Sequence, residues 1–412
     1  MKRREFVIKG SMASLAVASS TSMLGNFYSS KGSKDVVNIG IIGTGSRGGG
    51  LIPFIEEVEN LNLVALCDNL PFRLEDGLKR ANRKVTGYLE YRKMLENKDI
   101  DAVLVATPFY SHSKIEIDAL QAGKHVYGEK TLAKGYKEIK DLLLQAKASP
   151  MVFQTGHQLR SSQLYVHVVD LIKDGKIGQV EAIECQYNRD SSWRRPVPSP
   201  ELEKAINWRM YREFSGGLVA ELSSHQIDFA NWLLDSTPTQ VMGTGGLDYW
   251  KDGREIYDNV HLIYSYPNGV EAKFTCLSTN AKDGYQIKVI GEKGTILLGF
   301  AEAWLFPEGQ PEKKHGEVDG VSGATISWEQ GKGIPIKINH NDPSKQALMD
   351  FRESIVNKKN PISDIVSGAK TAICVQMALD AMHNNEIVHW KSEFDDVLKH
   401  VHKRSLSGGL SR

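Results

Sequence analysis

The chain has no excess of charge of either sign and no long apolar run outside its N-terminal region. Its 412 residues include 51 lysines and arginines and 50 aspartates and glutamates, giving a formal net charge of +1. This balance creates no broad field that would attract a polyanion or a membrane surface. No later segment has the roughly 18 consecutive apolar residues needed to span a bilayer. We therefore expect a small, neutral, polar partner, no nucleic acid and no transmembrane segment.

Cysteine is also scarce. Cys67, Cys185, Cys276 and Cys374 are far apart and form no CxxC pair. This spacing provides neither a disulfide framework nor a zinc ribbon. We expect four free, buried thiols.

Residues 1–34 have the composition of an export signal followed by a linker. Arg3 and Arg4 precede a weakly apolar stretch from Ser11 to Ser20, and Ala16-Val17-Ala18 offers small residues suited to a signal peptidase. The pattern is typical of a twin-arginine signal, whose pathway carries folded proteins. We expect a periplasmic or otherwise exported protein; a frayed basic terminus is the alternative.

Strand-like and helical segments alternate from residue 35 to residue 155. The strand-like runs are short and apolar, as expected for strands covered on both faces. They are Val36 to Ile42, Leu61 to Leu66, Ala102 to Ala106, His125 to Tyr127 and Met151 to Phe153. The alternation predicts an α/β domain with a doubly wound parallel sheet.

The pattern changes after residue 155. Residues 156–343 hold several β-rich runs separated by turn residues, which predicts an α+β domain with an open, predominantly antiparallel sheet. Within this domain Gly217 to Leu234 is expected to be one long helix, and Glu308 to Gly333 a surface excursion. Residues 344–412 are expected to form helices that pack back on the body.

The most informative motif is the glycine loop, Gly43-Thr44-Gly45-Ser46-Arg47-Gly48, between an apolar strand and a helical segment. Gly43 permits a tight turn, Gly45 lets the backbone approach a diphosphate, and Gly48 allows the helix to pack closely on the sheet. The N–H groups of the helix start at Ser46 and Arg47 can receive phosphates. The loop predicts a dinucleotide-binding Rossmann unit; a turn without a ligand is the alternative.

Asp68 stands at the end of the next strand. Its carboxylate can accept hydrogen bonds from the ribose hydroxyls of the adenosine, which favours NAD. Arg47 leaves NADP open, because an arginine in this loop can also meet a 2′-phosphate.

Two clusters of candidate residues follow strands of the parallel sheet, at the edge where such sheets place their ligands. The first is Thr107-Pro108 with His112, and the second is Glu129 with Lys130. We expect all five residues to contact the cofactor. A lysine at a buried strand end is costly unless it is paired or used, so Lys130 is a candidate catalytic group. A purely structural role is the alternative.

The segment Glu221-Leu222-Ser223-Ser224-His225, with Asp228 one turn later, predicts an oriented histidine. On an α-helix, residues four apart share a face, so the Glu221 carboxylate is expected to reach the His225 imidazole and fix its tautomer. Such a histidine suits general-base catalysis near neutral pH. A satisfied helix-face pair is the alternative, and zinc held with His157 is a weaker one, because the helix carries no second metal-spaced histidine.

A further cluster combines His157 and Arg160, directly after the last parallel strand, with Tyr187 and Trp193. Aromatic faces stack on the C–H surfaces of sugars, while histidine and arginine donate directional hydrogen bonds to hydroxyls. We expect these residues and Asp228 to bind substrate, with a folded loop or an interface as the alternative.

Taken in this order, the motifs resemble those of the Gfo/Idh/MocA family, the glucose-fructose oxidoreductase and inositol dehydrogenase group, from Val36 to about Trp390. Besides the glycine loop they are Thr107-Pro108-(x)3-His112, Ala122-Gly123-Lys124-His125-Val126 leading to Glu129-Lys130, and Gly216-Gly217 leading to His225 and Asp228. The resemblance implies a Rossmann domain, a second domain with an open sheet that builds dimers or tetramers, and a tightly held nicotinamide cofactor acting on sugars or polyols.

Two positions depart from the family pattern. Lys130 matches the lysine of the family's Glu-Lys-Pro motif, but Thr131 replaces the proline, which removes a rigid turn and a candidate cis bond. Glu221 and His225 match an Asp-(x)3-His pair, with the longer glutamate in place of aspartate.

Three functions remain open. The first is NAD(P)-dependent oxidation of a secondary alcohol of a sugar or polyol, with His225 as base, Glu221 as its orienting partner and Lys130 as donor to the substrate oxygen. The second is glycoside hydrolysis through transient oxidation and elimination, which needs no net electron acceptor and suits an exported enzyme with a captive cofactor. The third is a non-catalytic binding protein.

Overall fold

The computed structural model describes residues 36–308 and 333–399. The predicted export signal, residues 1–34, lies outside the described residues. So do most of the predicted surface excursion and the last thirteen residues of the chain, 400–412.

Residues 37–155 form the predicted parallel sheet. The strands and the helices that connect them are β1 (Val37–Ile42), α1 (Ser46–Glu57), β2 (Leu61–Cys67), α2 (Pro71–Arg80), β3 (Thr86–Tyr88), α3 (Tyr91–Leu95), β4 (Ala102–Val105), α4 (His112–Gln121), β5 (His125–Gly128), α5 (Tyr136–Ala148) and β6 (Phe153–Thr155). Apart from the edge strand β3, the strands are buried over most of their length. The six strands are ordered β3-β2-β1-β4-β5-β6 and every pair is parallel. This order reverses direction at β1 and β4, where such folds bind their ligands.

The second sheet has nine strands in the described chain: β7 (Val180–Tyr187), β8 (Gln240–Gly246), β9 (Asn259–Ser265), β10 (Glu271–Leu277), β11 (Tyr285–Gly291), β12 (Gly294–Leu298), β13 (Ala303–Pro307), β14 (Ile334–Ile336) and β15 (Val388–His389). Their order in the sheet is β14-β13-β12-β11-β7-β10-β9-β8-β15. Only β7 and β10 pair in parallel; the other pairs are antiparallel. The predicted fold class is therefore confirmed.

The helices of the second half are α6 (Gln163–Lys173), α7 (Glu203–Ile206), α8 (Ser224–Leu233), α9 (Pro343–Val356), α10 (Ile365–Asn384) and α11 (Ser392–Lys399). Helix α9 returns to the first domain: Phe351 packs edge-to-face on Tyr127 of β5, with ring centroids 5.7 Å apart, and the amide of Gln154 donates to the carbonyl oxygen of Ala347 at 2.7 Å. These contacts join the C-terminal helices to the parallel sheet.

The long helix predicted from Gly217 to Leu234 is not continuous. Val219–Ser223 forms a π-helical turn, and the α-helix begins only at Ser224. A π turn inserts one extra residue, so the face on which side chains meet changes within this segment. The candidate catalytic residues lie at this change.

All four cysteines are free and buried, as expected. Among the described helices, α10 is long and apolar enough to cross a membrane by length and composition, and 72% of its apolar window is buried within the protein.

Candidate active site

The glycine loop lies between β1 and α1, and its geometry requires glycine at two positions. Gly43 has φ +93°, and a Cβ there would lie 2.6 Å from the carbonyl oxygen of Ala106; a Cβ on Gly48 would lie 1.9 Å from the carbonyl oxygen of Gly43. Gly45 instead faces open space, with only the Arg73 guanidinium within 4 Å of an added Cβ. The loop is thus tight where it packs and open where a diphosphate would approach.

A cavity of about 520 Å³ opens beside this loop. It is lined by seven of the predicted cofactor residues: Gly43, Gly45, Ser46, Arg47, Asp68, Thr107 and Pro108. A volume of this size falls within the range of small-molecule sites. The cavity lies at the carboxyl ends of β1 and β4, where the strand order reverses.

Asp68 supports the loop as well as facing the cavity. Its Oδ2 accepts a hydrogen bond from the backbone N–H of Thr44 at 2.9 Å, and its Oδ1 accepts one from Leu70 at 2.9 Å. The carboxylate therefore fixes the turn that leads into α1. Its proposed bonds to ribose would use the remaining lone pairs.

His112 is not among the residues that line the cavity, and its contact with the cofactor stays a prediction. Its Nδ1 lies 3.0 Å from the carbonyl oxygen of Thr131, and its Nε2 lies 2.9 Å from that of Thr107. Both ring nitrogens are therefore occupied by backbone. The buried imidazole joins the loops that follow β4 and β5.

Glu129 holds Arg47 rather than facing the cavity. Its Oε1 accepts a 2.6 Å hydrogen bond from Arg47 Nε, and the guanidinium also donates to Ser344 at 3.2 Å. Burial alone would lower the pKa of Arg47, but Glu129 reverses this and keeps that pKa above its usual value. Since the Arg47 charge is used by Glu129, a 2′-phosphate would have to compete for it.

Lys130 is positioned by the π turn. Its Nζ donates to the carbonyl oxygen of Glu221 at 2.7 Å and approaches that of Ala220 at 3.4 Å. Burial lowers the pKa of Lys130, an effect that the charges of Glu221 and Glu129 partly offset. An ammonium group has three N–H donors, so one remains for a substrate oxygen.

The turn after Lys130 has threonine at the position of the family proline. The Lys130–Thr131 peptide bond is cis, contrary to the expectation that threonine would remove it. The Thr131 hydroxyl donates to the Ala220 carbonyl oxygen at 3.0 Å, so threonine connects this turn directly to the π segment.

Glu221 does not orient His225, which corrects the prediction. Its Oε2 accepts a 2.7 Å hydrogen bond from Arg209 Nε instead. Glu221 lies within the π turn and His225 lies just after it. Across the end of this turn, side chains four residues apart do not share a face as they do in an α-helix. Burial would raise the pKa of Glu221, but Arg209 and Lys130 keep it below its usual value.

His225 faces His157 instead. The two rings meet edge-to-face with centroids 5.9 Å apart, and His225 Nδ1 and His157 Nε2 have no hydrogen-bond partner among the described residues. Burial holds the pKa of His225 well below its usual value, and Lys130, His157 and Arg47 lower it further. His225 is therefore a neutral imidazole that can accept a proton.

Arg160 and Asp228, both predicted to bind substrate, form an ion pair with each other. Arg160 Nε and Nη2 donate to the two carboxylate oxygens of Asp228 at 2.7 and 3.0 Å, and the Thr371 hydroxyl donates to the same carboxylate at 2.9 Å. All three groups are buried. This bidentate pair joins α8 to the segment after β6, and contact of either residue with substrate stays a prediction.

The two aromatic candidates lie outside the cavity lining. Tyr187 packs with Tyr285 and Phe300, at centroid distances of 5.0 and 5.6 Å. Trp193 is half-buried and has φ +60°. Their contact with substrate stays a prediction.

Several cavity residues carry no signal in a short motif. Arg73 on α2, Tyr110 after β4, and Arg195 and Arg209 from the second domain all line the cavity. Arg73 comes five residues after Asp68, but its position over Gly45 follows only from the way α2 packs. Residues 36–308 and 333–399 contain no group of three or more histidines, cysteines or carboxylates placed to hold a metal ion.

The fold and the glycine loop define a dinucleotide-binding oxidoreductase of the two-domain type. Residues 37–157 match the model "Oxidoreductase family, NAD-binding Rossmann fold", and residues 165–297 match the GFO/IDH/MocA C-terminal domain. The chain therefore belongs to the Gfo/Idh/MocA family, and its first domain is an NAD-binding Rossmann domain.

Similar proteins act on different carbohydrates. The chain is 26% identical over 387 residues to a 2,7-anhydro-N-acetylneuraminate hydratase of Escherichia coli, covering 89% of this chain and 99% of the relative. It is 24% identical over 267 residues to a myo-inositol 2-dehydrogenase of Thermotoga maritima, covering 63% and 75%. A levoglucosan dehydrogenase in complex with NADH and levoglucosan has a TM-score of 0.70 at 18% identity, covering 86% of this chain and 99% of that one.

Proposed function

We propose that this protein is an NAD-dependent oxidoreductase that acts on a secondary alcohol of a sugar or polyol and keeps its cofactor bound between turnovers. The observation that carries the proposal is the Lys130 ammonium, held between the first domain and the π turn with the neutral His225 imidazole close by. The dehydrogenase relatives, by their names, act on inositol and on an anhydrosugar, which supports this substrate class.

In the proposed reaction the bound nicotinamide supplies the hydride acceptor. His225 accepts the hydroxyl proton, because burial keeps its imidazole neutral. Lys130 donates its remaining N–H to the substrate oxygen and stabilises the alkoxide charge that develops there. The negative charge of Glu221 favours the protonated form of Lys130. The same carboxylate accepts a hydrogen bond from Arg209.

The remaining predicted residues have supporting roles. Gly43, Gly45 and the N–H groups of Ser46 and Arg47 receive the diphosphate, and Asp68 the adenosine ribose. Thr107 and Pro108 line the same cavity as the loop. His157 offers its unpartnered Nε2 to a substrate hydroxyl.

One observation favours a second function, a redox-neutral elimination or hydration. Such a reaction moves more than one proton, and the structure provides a second buried imidazole, His157, against His225. The match to the hydratase relative covers 99% of the length of that relative. In this mechanism the hydride returns to the substrate at the end, so no external acceptor is required.

The two functions are separated by the fate of the cofactor. The purified protein is mixed with myo-inositol, levoglucosan or an aryl glycoside, without added NAD. A dehydrogenase accumulates reduced cofactor, seen at 340 nm, up to one equivalent. A redox-neutral enzyme releases the aglycone through many turnovers without lasting absorbance at 340 nm. Neither signal with any of these sugars or polyols would contradict the proposal.

We further propose that the protein is exported through the twin-arginine pathway and forms a homodimer or homotetramer. The Arg3-Arg4 pair and the small residues at Ala16-Val17-Ala18 support export. Replacing Arg3 and Arg4 together by lysine should leave the protein in the cytoplasmic fraction, while the unaltered chain reaches the exported fraction. Equal distribution of the two would contradict the export proposal, and light scattering reports the assembly.

A further inference from the structure

A segment of the second domain crosses the cavity beside the glycine loop. We call residues 190–214 the strap; it follows β7 and includes α7 between two short 3₁₀ turns, Pro200–Leu202 and Trp208–Met210. The strap residues that line the cavity are Arg195, Glu201, Lys204, Ala205, Ile206, Trp208, Arg209 and Phe214. The cavity therefore has one wall from each domain.

A buried side chain within the strap, that of Asn207, fixes the backbone at Arg195. The amide of Asn207, which is 2% exposed, donates to the carbonyl oxygen of Arg195 at 2.9 Å and accepts from its N–H at 2.8 Å. The neighbouring Arg194 forms ion pairs with Asp252 and Glu203. Because the backbone is fixed on both sides, the position of Arg195 is built into the fold.

Three guanidinium groups come together at this cavity. Burial lowers the pKa of Arg73, Asp68 opposes this effect, and Arg195 and Arg209 lower the pKa further. Arg209 is paired with Glu221, but no carboxylate in the described part of the chain forms an ion pair with Arg73 or Arg195. The other charged groups lining the cavity are Arg47, Glu90, Glu201 and Lys204. Like charges that converge without a paired carboxylate form a site for an anion.

We propose that the strap retains the dinucleotide by binding its diphosphate, with Arg195 and Arg73 as donors from opposite walls of the cavity. This inference rests on the proposed function, because it requires a dinucleotide on the glycine loop. Gly45, where that loop is open, lies next to Arg73. A guanidinium group gives planar, paired N–H donors that match phosphate oxygens.

A ring contact closes the strap onto the first domain. Tyr110, which follows β4, meets Phe214 at the end of the strap with ring centroids 4.9 Å apart. Both residues line the cavity. Release of the dinucleotide then requires the strap to move away from Tyr110 and the diphosphate to leave Arg195, and we expect both requirements to slow dissociation.

The test measures cofactor release from the full-length protein as purified with bound NAD. Protein is diluted into buffer containing an NAD-degrading enzyme, and the NAD still bound is quantified by mass spectrometry over time. We expect Arg195→Ala to release NAD about tenfold faster or more, the scale of losing a charged hydrogen bond, Arg195→Lys to be intermediate, and Phe214→Ala to accelerate release. Arg83→Ala, an exposed arginine on the same domain as the glycine loop, is the matched control and should match the unaltered protein.

Three other results would overturn the inference. Equal release rates for Arg195→Ala and Arg83→Ala would show that the strap does not bind the diphosphate. Faster release of NADP with unchanged release of NAD would show that Arg195 binds a 2′-phosphate only. If the unaltered protein neither contains nor binds a nicotinamide nucleotide, the proposed function fails as well, and this result is distinct because no release is measured.

Discussion

Replacing Lys130 by methionine should lower the rate at which substrate reduces bound NAD by about 10²–10³-fold, the typical effect of losing one donor to a developing oxyanion. Methionine keeps the length of the side chain but removes the charge and all N–H donors. The NAD content should stay unchanged, because the glycine loop and Arg195 do not depend on Lys130. Stopped-flow absorbance at 340 nm measures the rate, and mass spectrometry of the denatured protein measures the cofactor.

The matched control for this variant is Lys137→Met, since Lys137 lies on α5 with its ammonium exposed and paired with Asp141. It should behave as the unaltered protein. Lys130→Arg tests the geometry: it retains charge, but its planar group cannot point one N–H at each π-turn carbonyl and a third at substrate. Unchanged reduction in Lys130→Met with full cofactor would remove Lys130 from the mechanism.

Replacing His225 by glutamine should reduce the same rate by about 10²–10⁴-fold, the usual contribution of a general base. The unaltered enzyme should also remain active well below pH 6.5, because burial lowers the pKa of His225 and the base stays unprotonated there. Activity should fall only when the pH drops through that lowered pKa. As the pH rises, the activity should begin to fall at a pH below 10.5, because burial lowers the pKa of Lys130 and the ammonium loses its proton at a lower pH than usual.

The pH profile separates a base from a merely structural histidine. In His225→Gln the acidic fall in rate should disappear, while the alkaline fall set by Lys130 persists. His389→Gln, an exposed histidine on β15, should keep both. An acidic fall that survives in His225→Gln would assign the base to another residue, with His157 the nearest candidate.

The sequence predicted the features that follow from local rules. The alternating apolar and helical segments indicated the parallel sheet, and the tight packing around Gly43 and Gly48 leaves few other residues possible there. Lys130 was recognised because a charged side chain at a buried strand end is energetically costly unless it is paired or takes part in the reaction. Thr107 and Pro108 were recognised because parallel sheets bind their ligands at the carboxyl ends of their strands, and both residues line the cavity.

The features that the sequence did not predict have physical causes that the spacing of residues in a short motif does not reveal. The Glu221–His225 pair assumed a regular α-helix, and no residue between Val219 and Ser223 marks a π turn. The contact between Arg160 and Asp228 joins residues 68 positions apart, so the spacing of short motifs could not show that the two side chains pair. Arg195 was not among the predicted site residues, because nothing in the sequence of the strap shows that it lines the cavity.

The most direct test of the account is a crystal structure of the protein with its bound cofactor and a polyol. The account predicts the diphosphate between Gly45 and Arg195, and one carbinol carbon about 3–3.5 Å from C4 of the nicotinamide, a reactive separation, with its oxygen in hydrogen-bond reach of Lys130 Nζ and His225. A nicotinamide ring bound away from Lys130 and His225, or a polyol held elsewhere in the molecule, would contradict it.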